Sequence, residues 1–331
     1  MLKVFVSGAD GFIGSHLTEE LINRKYNVIA LTHYNSFDNI GWLTDLNKIK
    51  PKNLKIVSGD IRDNNLIENY TKNVDIIFHL ASLIAIPYSY ISPRSYVDTN
   101  ILGTLNILEA AKKNNVKKVV HTSTSEVYGS AQYAPIDEKH PNVGQSPYSA
   151  SKIAADQIAF SYYSSFDLPV TILRPFNTYG PRQSVRAVIP TIISQIINNK
   201  KNIKLGNVNT SRDFNFVSDT VAAFINCINN DSVNGKIINI GSGYDVTIKQ
   251  LTNIISRIMK KEINIHSDRI RFRPDKSEVV RLIASNKLAK KYLKWKPQYS
   301  GENGLEKGLK KTIKWFTNKD NLDLYNKDYS L

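Results

Sequence analysis

The chain has little that would stabilise it covalently or anchor it in a lipid bilayer. Its 331 residues include one cysteine, Cys227, so neither an internal disulfide nor a cysteine-based metal cluster is expected. Cys227 lies in an apolar stretch and is predicted to be a small buried side chain. No apolar run reaches the length of a membrane span, and a strand pattern begins at Lys3 without a preceding signal peptide. We therefore expect a cytoplasmic protein that has no membrane partner and binds no metal.

Acidic residues are also scarce relative to basic ones. The chain has 44 Lys and Arg against 29 Asp and Glu, which gives a formal net charge of +15. Such an excess is typical of some nucleic-acid-binding proteins. Here the lysines are scattered along the chain instead of forming stripes, and a compositional bias combined with an anionic small substrate explains the charge as well. We expect a phosphate-bearing ligand and no nucleic-acid partner.

Flexible linkers and internal repeats are missing too. Instead, the first half of the chain alternates short apolar runs with helical patterns, which favours an α/β fold with a doubly wound parallel sheet. Strands are predicted at 3–7, 27–32, 54–57, 75–79, 117–122 and 170–174, and helices at 12–24, 63–72, 98–114 and 148–166. In such a sheet, ligands bind at the carboxyl ends of the strands.

The pattern changes after residue 175. Helices are predicted at 187–199, 219–229, 247–260, 285–293 and 304–317, with strands near 203–205 and 236–240. We expect residues 1–175 to form the sheet domain. Residues 176–317 are expected to form mainly a smaller, partly helical lobe whose chain is interwoven with that domain. The polar tail 318–331 is predicted to be loosely held.

A glycine-rich segment follows the first predicted strand and opens the first predicted helix. It reads Gly8-Ala9-Asp10-Gly11-Phe12-Ile13-Gly14. Glycine lets the backbone approach a pyrophosphate closely, and a helix N-terminus offers N–H groups and a positive dipole end to it. The context predicts an NAD(P)-binding Rossmann domain, with cofactor contacts from Gly8, Gly11, Phe12, Ile13 and Gly14.

The form of the dinucleotide is not decided by the sequence. An acidic residue at the end of the second strand would bind the ribose 2′-hydroxyl of NAD, but the chain reads Thr32-His33-Tyr34-Asn35-Ser36 there. This absence slightly favours NADP, yet no arginine is present in this stretch to hold a 2′-phosphate. Asp60 and Ile61, after the third strand, are predicted to lie near the adenine. Asp60 has an almost equally good alternative as a turn-stabilising aspartate.

Tyr148 and Lys152 are four residues apart on a predicted helix and therefore share a face. A free tyrosine has a pKa of about 10, too high for a base at neutral pH. A nearby ammonium and a positive nicotinamide ring would both favour the phenolate, which could then take a proton from a hydroxyl group as hydride leaves the same carbon. The pair predicts a nicotinamide-dependent enzyme.

The chain resembles the extended short-chain dehydrogenase/reductase family, specifically its nucleotide-sugar epimerases and dehydratases. The resemblance runs from Lys3 to about Trp295 and includes the glycine-rich segment, the Tyr148/Lys152 pair and the stretch 174–181. It implies that Thr124 assists Tyr148, that the cofactor is tightly bound, and that helices 98–114 and 148–166 form a homodimer interface. It also implies cofactor contacts from Leu80, Ala81, Tyr148 and Lys152, and substrate contacts from Asn177, Arg212 and Arg273.

Within this family, Glu126 would separate two reactions. An epimerase needs only oxidation and re-reduction at one carbon, whereas a 4,6-dehydratase also needs a base for the C5 proton and an acid for the departing C6 hydroxyl. The family's usual Thr-Asp-Glu reads Thr124-Ser125-Glu126 here, which resembles the form in GDP-mannose 4,6-dehydratases. Because serine is a poor acid, the identity of the proton donor stays open. The alternative is that Glu126 is an ordinary loop carboxylate on an epimerase.

A finer resemblance, carried by 85–90, 95–100 and 175–183, is to the 4,6-dehydratases of legionaminic-acid biosynthesis. It implies UDP- or GDP-N-acetylglucosamine as the substrate. The implied reaction is oxidation at C4, elimination of water across C5–C6 and hydride return to C6, with Thr124, Ser125, Glu126, Tyr148 and Lys152 as the catalytic residues. The remaining alternatives are a C4 epimerase and a non-catalytic protein that binds a cofactor or nucleic acid.

Overall fold

The computed structural model describes residues 1–198 and 201–325. Its strands are β1 (Lys3–Ser7), β2 (Asn27–His33), β3 (Leu54–Gly59), β4 (Ile76–His79), β5 (Lys118–Thr122), β6 (Val170–Pro175), β7 (Asn177–Tyr179), β8 (Asn202–Leu205), β9 (Ser211–Phe216), β10 (Ile237–Ile240), β11 (Asp245–Thr247), β12 (Asn264–Ser267) and β13 (Arg281–Leu282). Its α-helices are α1 (Phe12–Asn23), α2 (Thr44–Ile49), α3 (Asn64–Tyr70), α4 (Ile86–Ile91), α5 (Pro93–Tyr96), α6 (Gly103–Lys113), α7 (Pro147–Phe166), α8 (Val188–Ile197), α9 (Val217–Ile225), α10 (Ile248–Met259), α11 (Lys287–Tyr292), α12 (Gly301–Thr317) and α13 (Lys319–Leu322).

Seven of these strands form one parallel sheet in the order β3-β2-β1-β4-β5-β6-β10. The strand order reverses between β1 and β4, so the connections leaving these two strands diverge and open a crevice at their carboxyl ends. The predicted doubly wound Rossmann sheet is therefore confirmed, and the crevice marks the place where a ligand is expected.

The sheet is buried on both faces, as the short apolar strand runs predict. Val4 and Val6 of β1 contribute to one hydrophobic cluster, while Phe5 between them contributes to the cluster on the opposite face. This alternation follows from the period of two along a strand. The edge strand β3 has exposed positions at Lys55 and Ser58, because only one neighbour covers it.

The later part of the chain contributes to two regions of the structure. Its predicted strand at 236–240 corresponds to β10, which pairs with β6 in the large sheet. A smaller sheet is centred on β9, which pairs with β7, β11 and β13, and β8 pairs with β12 separately. The sequence did not predict β9, because Ser-Arg-Asp-Phe-Asn-Phe is not an apolar run. Its last five residues are nevertheless buried by the elements around them.

Two predictions, one for a helix and one for the C-terminal tail, need correction. The segment 98–114 is not one α-helix: Val97–Leu102 form a π-helical turn, and α6 begins only at Gly103. The tail 318–331 is not uniformly loose, because α13 lies within it and Tyr325 packs 5.3 Å from Trp42, measured between ring centroids. The rest of the tail, 326–331, lies outside the described residues, as does residue 199 of the predicted helix 187–199.

Helix α7 carries the tyrosine–lysine pair, and its start is strongly specified. Ser146 accepts a hydrogen bond from the Ser149 backbone N–H, the Ser149 hydroxyl accepts one from the Ser146 N–H, and Pro147 occupies the first turn. This capping box fixes the first turn. Among the described helices, none combines the length and apolar character needed to cross a membrane.

Candidate functional site

The glycine-rich turn between β1 and α1 fits a dinucleotide pyrophosphate. Gly8 has a φ of 68°, and a Cβ there would lie 2.8 Å from the Ala81 backbone nitrogen. A Cβ on Gly14 would collide with the Gly8 carbonyl. Gly11 precedes α1 without a side-chain cap, so the first turn of the helix faces the crevice with its N–H groups uncovered by a side chain. These positions leave room for the group that the sequence predicts.

Leu80 and Ala81 follow β4 directly beside this turn. The Ser7 hydroxyl oxygen accepts hydrogen bonds from the backbone N–H groups of Leu80 (3.1 Å) and Ala81 (3.2 Å), and it lies 2.8 Å from His79 Nδ1. Burial lowers the pKa of His79 well below its usual value, so the ring is neutral. His79 therefore has a structural role: it ties the end of β4 to β1.

Asp60 and Ile61, both expected near the adenine, lie in different environments. Ile61 is buried against Gly103 in the core. Asp60 accepts hydrogen bonds from the Arg62 guanidinium, and this pairing lowers the pKa of Asp60. Gly59, the residue before Asp60, pairs with His33 in the sheet, so Asp60 lies close to the end of the second strand.

Tyr148, Thr124 and Lys152 meet at the carboxyl end of β5. Burial raises the pKa of Tyr148 above its usual value, and hydrogen bonding to Thr124 opposes this effect. The Thr124 hydroxyl oxygen also accepts a hydrogen bond from the Glu126 N–H at 3.2 Å. Lys152 donates to the Thr122 carbonyl at 2.6 Å, and burial lowers its pKa to about 8. Together these contacts give a buried phenol with a hydroxyl partner and a lysine one helical turn away.

Glu126 belongs to the same cluster. It lies in a short 3-10 turn with Ser125, both side chains are buried, and the charge of Glu126 contributes to the raised pKa of Tyr148. One Glu126 oxygen lies 3.3 Å from Nη1 of Arg273. The structure therefore brings Thr124, Ser125, Glu126, Tyr148 and Lys152 into one region. The pairing of Glu126 with Arg273, 147 residues later, could not be read from the sequence.

Two of the three predicted substrate residues, Arg212 and Arg273, approach Glu126 from the later part of the chain. Arg212 is buried in β9, and burial lowers its pKa while the charge of Glu126 opposes the shift. Its Nη2 atom lies 3.6 Å from Glu278, a residue the sequence did not single out. Asn177 Oδ1 is buried and has no hydrogen-bond partner in the part of the chain that the structure describes. An unpartnered buried acceptor of this kind is expected where a ligand supplies the donor.

A second missed group lies beneath the tyrosine and lysine. Asp156 is fully buried one turn after Lys152, and its carboxylate accepts hydrogen bonds from the Ser123 hydroxyl (2.8 Å) and from Arg174 Nε (3.0 Å). Its charge also opposes the fall in the pKa of Lys152. The spacing of four residues between Lys152 and Asp156 could have indicated this pair. Across 1–198 and 201–325, no group of three or more His, Cys, Asp or Glu side chains is placed to hold a metal ion.

Comparison with known proteins agrees with this geometry. The family model described as GDP-mannose 4,6 dehydratase matches residues 5–308. The chain belongs to this family of nucleotide-sugar dehydratases and epimerases, within the extended short-chain dehydrogenases/reductases. A putative UDP-glucose 4-epimerase of Methanocaldococcus jannaschii is 34% identical, over 95% of this chain and 98% of that protein.

Solved structures include both reaction types. A dTDP-glucose 4,6-dehydratase of Streptomyces venezuelae, solved with NAD bound, superposes with a TM-score of 0.87 at 28% identity and covers 98% of this chain and 99% of its own. A UDP-N-acetylglucosamine 4-epimerase of Methanobrevibacter ruminantium, in complex with UDP-N-acetylmuramic acid, gives a TM-score of 0.84 at 33% identity, over 95% and 98% of the two chains. Dehydratases and epimerases are thus similarly close relatives. Which of the two reactions this chain catalyses must be inferred from the residues of its site.

Proposed function

We propose that the protein is a 4,6-dehydratase acting on nucleotide-linked N-acetylglucosamine. One observation carries the proposal: a buried carboxylate, Glu126, lies in the same cluster as Tyr148 and Thr124. Oxidation and re-reduction at one carbon do not require such a base, whereas elimination across C5–C6 does. Burying a carboxylate costs free energy unless it is paired, and the partner of Glu126 is Arg273, a predicted substrate residue.

The crevice between β1 and β4 would hold the dinucleotide. Gly8, Gly11 and Gly14 would line the pyrophosphate, with Phe12 and Ile13 in the first turn of α1. Leu80 and Ala81 would border the same crevice from β4. When bound, the cofactor supplies a nicotinamide ring that accepts hydride from sugar C4 and returns it to C6.

Tyr148 would take the proton of the sugar 4-hydroxyl. Burial alone raises the pKa of this phenol, which is unfavourable for a base. Hydrogen bonding from Thr124 acts in the opposite direction, and a charged Lys152 one helical turn away would also favour the phenolate. Thr124 is well placed because its oxygen already accepts the Glu126 N–H, which leaves its own proton for the tyrosine oxygen.

Glu126 would act after C4 has become a ketone, because the ketone makes the C5–H bond acidic. The carboxylate removes the C5 proton, a C5–C6 double bond forms and the C6–O bond breaks. The departing hydroxyl takes up one proton and leaves as water; Glu126 supplies that proton, and Ser125 orients the hydroxyl. Arg273 Nη1 lies 3.3 Å from a Glu126 oxygen and gives this carboxylate a cationic partner.

The substrate diphosphate would lie against the guanidinium groups of Arg212 and Arg273, whose planar donors suit phosphate oxygens. Asn177 would donate to a sugar or diphosphate oxygen through its amide NH2, while its buried Oδ1 accepts from a ligand hydroxyl. We propose a UDP- or GDP-linked amino sugar as the substrate. The finer similarity to legionaminic-acid enzymes stays a prediction from the sequence.

C4 epimerisation is the second candidate, because relatives named as UDP-sugar 4-epimerases are similarly close. An epimerase would use Tyr148, Thr124 and Lys152 in the same way and would leave Glu126 without a proton to move. The two reactions differ in mass, since dehydration removes one water from the sugar and epimerisation removes nothing.

The decisive experiment incubates the purified protein with UDP- and GDP-N-acetylglucosamine and follows the products by mass spectrometry and proton NMR. We expect a product lighter by one water. Glu126→Gln should reduce turnover by about a hundred- to ten-thousand-fold, the typical contribution of a general acid–base step, while dinucleotide binding is retained. Glu138→Gln is a matched control, because Glu138 is a partly buried carboxylate that bonds to the Asn239 backbone outside the tyrosine cluster.

Each outcome has a clear meaning. Unchanged dehydration by Glu126→Gln would remove this residue from the mechanism. A product of unchanged mass with an inverted C4 centre would establish the epimerase instead. If Tyr148→Phe retained full turnover with either substrate, the proposed oxidation at C4 would be wrong.

A further inference from the structure

A carboxylate does lie at the end of β2, although β2 itself does not supply it. The Asp10 side chain, from the glycine-rich turn, accepts a hydrogen bond from the His33 backbone N–H at 3.2 Å through Oδ2. His33 is the last residue of β2, the position from which an acidic side chain would reach the ribose 2′-hydroxyl of NAD. The turn therefore places a negative charge where the sequence of the strand has none.

The loop after β2 fixes Asp10 from the other side. The Trp42 N–H donates to the Asp10 carbonyl at 3.2 Å, and a Cβ on Gly41 would lie 2.6 Å from the same carbonyl oxygen. Gly41 has a φ of 56°, which glycine adopts without strain. Asp10 is thus held by its backbone and by its side chain, and its carboxylate is directed towards the end of the second strand.

The arginine that follows β3 is already paired with a carboxylate. Arg62, after β3, forms hydrogen bonds with both oxygens of Asp60, with its Nε atom 2.9 and 3.0 Å from them. A 2′-phosphate would need a cation of this kind, and Arg62 would have to give up its short hydrogen bonds to both Asp60 oxygens to supply it. Two carboxylates and one paired arginine make the surroundings of His33 unfavourable for an additional phosphate dianion.

We propose that Asp10 makes the site selective for NAD over NADP. This inference rests on the proposed dinucleotide role of the Gly8–Gly14 turn and adds a specificity-determining residue to it. The carboxylate accepts a hydrogen bond from the ribose 2′-hydroxyl of NAD, and the same charge repels the 2′-phosphate of NADP. The slight preference for NADP suggested by the sequence of β2 is thereby reversed.

The test compares dissociation constants of NAD and NADP by isothermal titration calorimetry, using the full chain. Asp10→Asn removes the charge but keeps an oxygen that can accept the His33 N–H, so it separates electrostatics from loop structure. Wild type should bind NAD at least about tenfold more tightly than NADP, and Asp10→Asn should lower that ratio about tenfold, mainly by strengthening NADP binding. The dinucleotide that co-purifies with wild type, released by heat and identified by mass spectrometry, should be NAD.

Asp45→Asn is the matched control. Asp45 lies on α2, is largely exposed and pairs with Lys48, so its loss changes net charge by the same amount without touching the end of β2. The ratio of its dissociation constants for NADP and NAD should equal that of wild type. If Asp10→Asn does not fold, Asp10→Ser provides the same loss of charge with a shorter oxygen acceptor.

The inference would be overturned if wild type preferred NADP or if the folded Asp10 variants kept the wild-type ratio. Failure of wild type to bind either dinucleotide would be a different result. That outcome would contradict the proposed cofactor role of the turn, and the selectivity inference would fall with it.

Discussion

Lys152 shows how burial adjusts a single ionisable group. Its side chain is almost fully covered, and burial lowers its pKa to about 8. The charge of Asp156 opposes this fall in pKa, and the ammonium donates a hydrogen bond to the Thr122 carbonyl. At neutral pH the lysine is thus mostly charged, because its pKa of about 8 lies only slightly above that pH.

A pH dependence follows at this residue. Below about pH 8 Lys152 is protonated and favours the Tyr148 phenolate, and above it the lysine is neutral and this help is lost. Rising pH also deprotonates Tyr148, so turnover at saturating substrate should rise with pH below about 8 and level off above it, since a rise of one unit in the pKa of Tyr148 cancels a tenfold gain in phenolate. The measurement is a pH profile of kcat between pH 6 and 10.

The control for this profile is Lys152→Met, which has no proton to lose. This variant should be slower than wild type, and its turnover should rise with pH without a break near pH 8. A levelling-off with the same midpoint in Lys152→Met would assign the break to another group.

At the scale of elements, Asp156 ties α7 to β5 and β6. Its carboxylate bonds Ser123, just after β5, and Arg174 in β6, and all three side chains are buried. Burial by itself would raise the pKa of Asp156, but His121, Arg174 and Ser123 outweigh it and lower the pKa. The pairing fixes the orientation of the helix that carries Tyr148 and Lys152.

Breaking this pairing should be costly. Asp156→Ala would leave the Arg174 guanidinium buried without its partner, so we expect a loss of about 3–5 kcal/mol in the free energy of unfolding. Gln157→Ala, at the next and exposed position, should change it by less than about 0.5 kcal/mol. Denaturant unfolding measures both variants. A loss below 1 kcal/mol for Asp156→Ala would show that α7 is held mainly by apolar packing.

Element boundaries were predictable where local chemistry sets them. The strands β1, β2 and β6 and the start of α7 lie within one or two residues of the positions expected from their apolar runs, proline and capping serines. The π-helical turn at 97–102 was not predictable, since its sequence reads as part of an ordinary helix. Strand β9 was missed because its polar side chains are buried through contacts with distant segments.

At the scale of the whole molecule, the end of the chain packs against its beginning. Trp42, in the loop after β2, contacts Trp315 of α12 and Tyr325, with ring centroids 5.8 and 5.3 Å apart. Arg182 lies over the Trp315 ring. The same loop bonds Asp10, so this aromatic cluster supports the region next to the proposed cofactor site.

Tyr325→Ala should therefore lower the free energy of unfolding by about 1–3 kcal/mol through lost aromatic packing. Leu324→Ala is the control, because Leu324 is 69% exposed and should cost less than about 0.5 kcal/mol. Thermal and denaturant unfolding measure the difference. A loss below about 0.5 kcal/mol for Tyr325→Ala as well would mean that this aromatic contact adds no stability.

Two expectations at this scale stay predictions. The homodimer is one of them, and the exposed apolar side chains on the π-helical turn and α7 suit it: Val97, Leu102, Phe160 and Phe166 are each 41–48% exposed. The division into a domain at 1–175 and a lobe at 176–317 is the other. Strand β10 belongs to the large sheet, so any such division must allow the chain to return to the first domain.

The sequence by itself determined the parallel sheet, the glycine-rich turn and the tyrosine–lysine pair, because each depends on neighbours within one element or one turn. Only the tertiary structure decided which distant charges face each other. Arg273 meets Glu126 across 147 residues, and Asp10 reaches the end of β2 from the turn before α1. Such pairings depend on how elements pack, and a spacing along the chain does not reveal them.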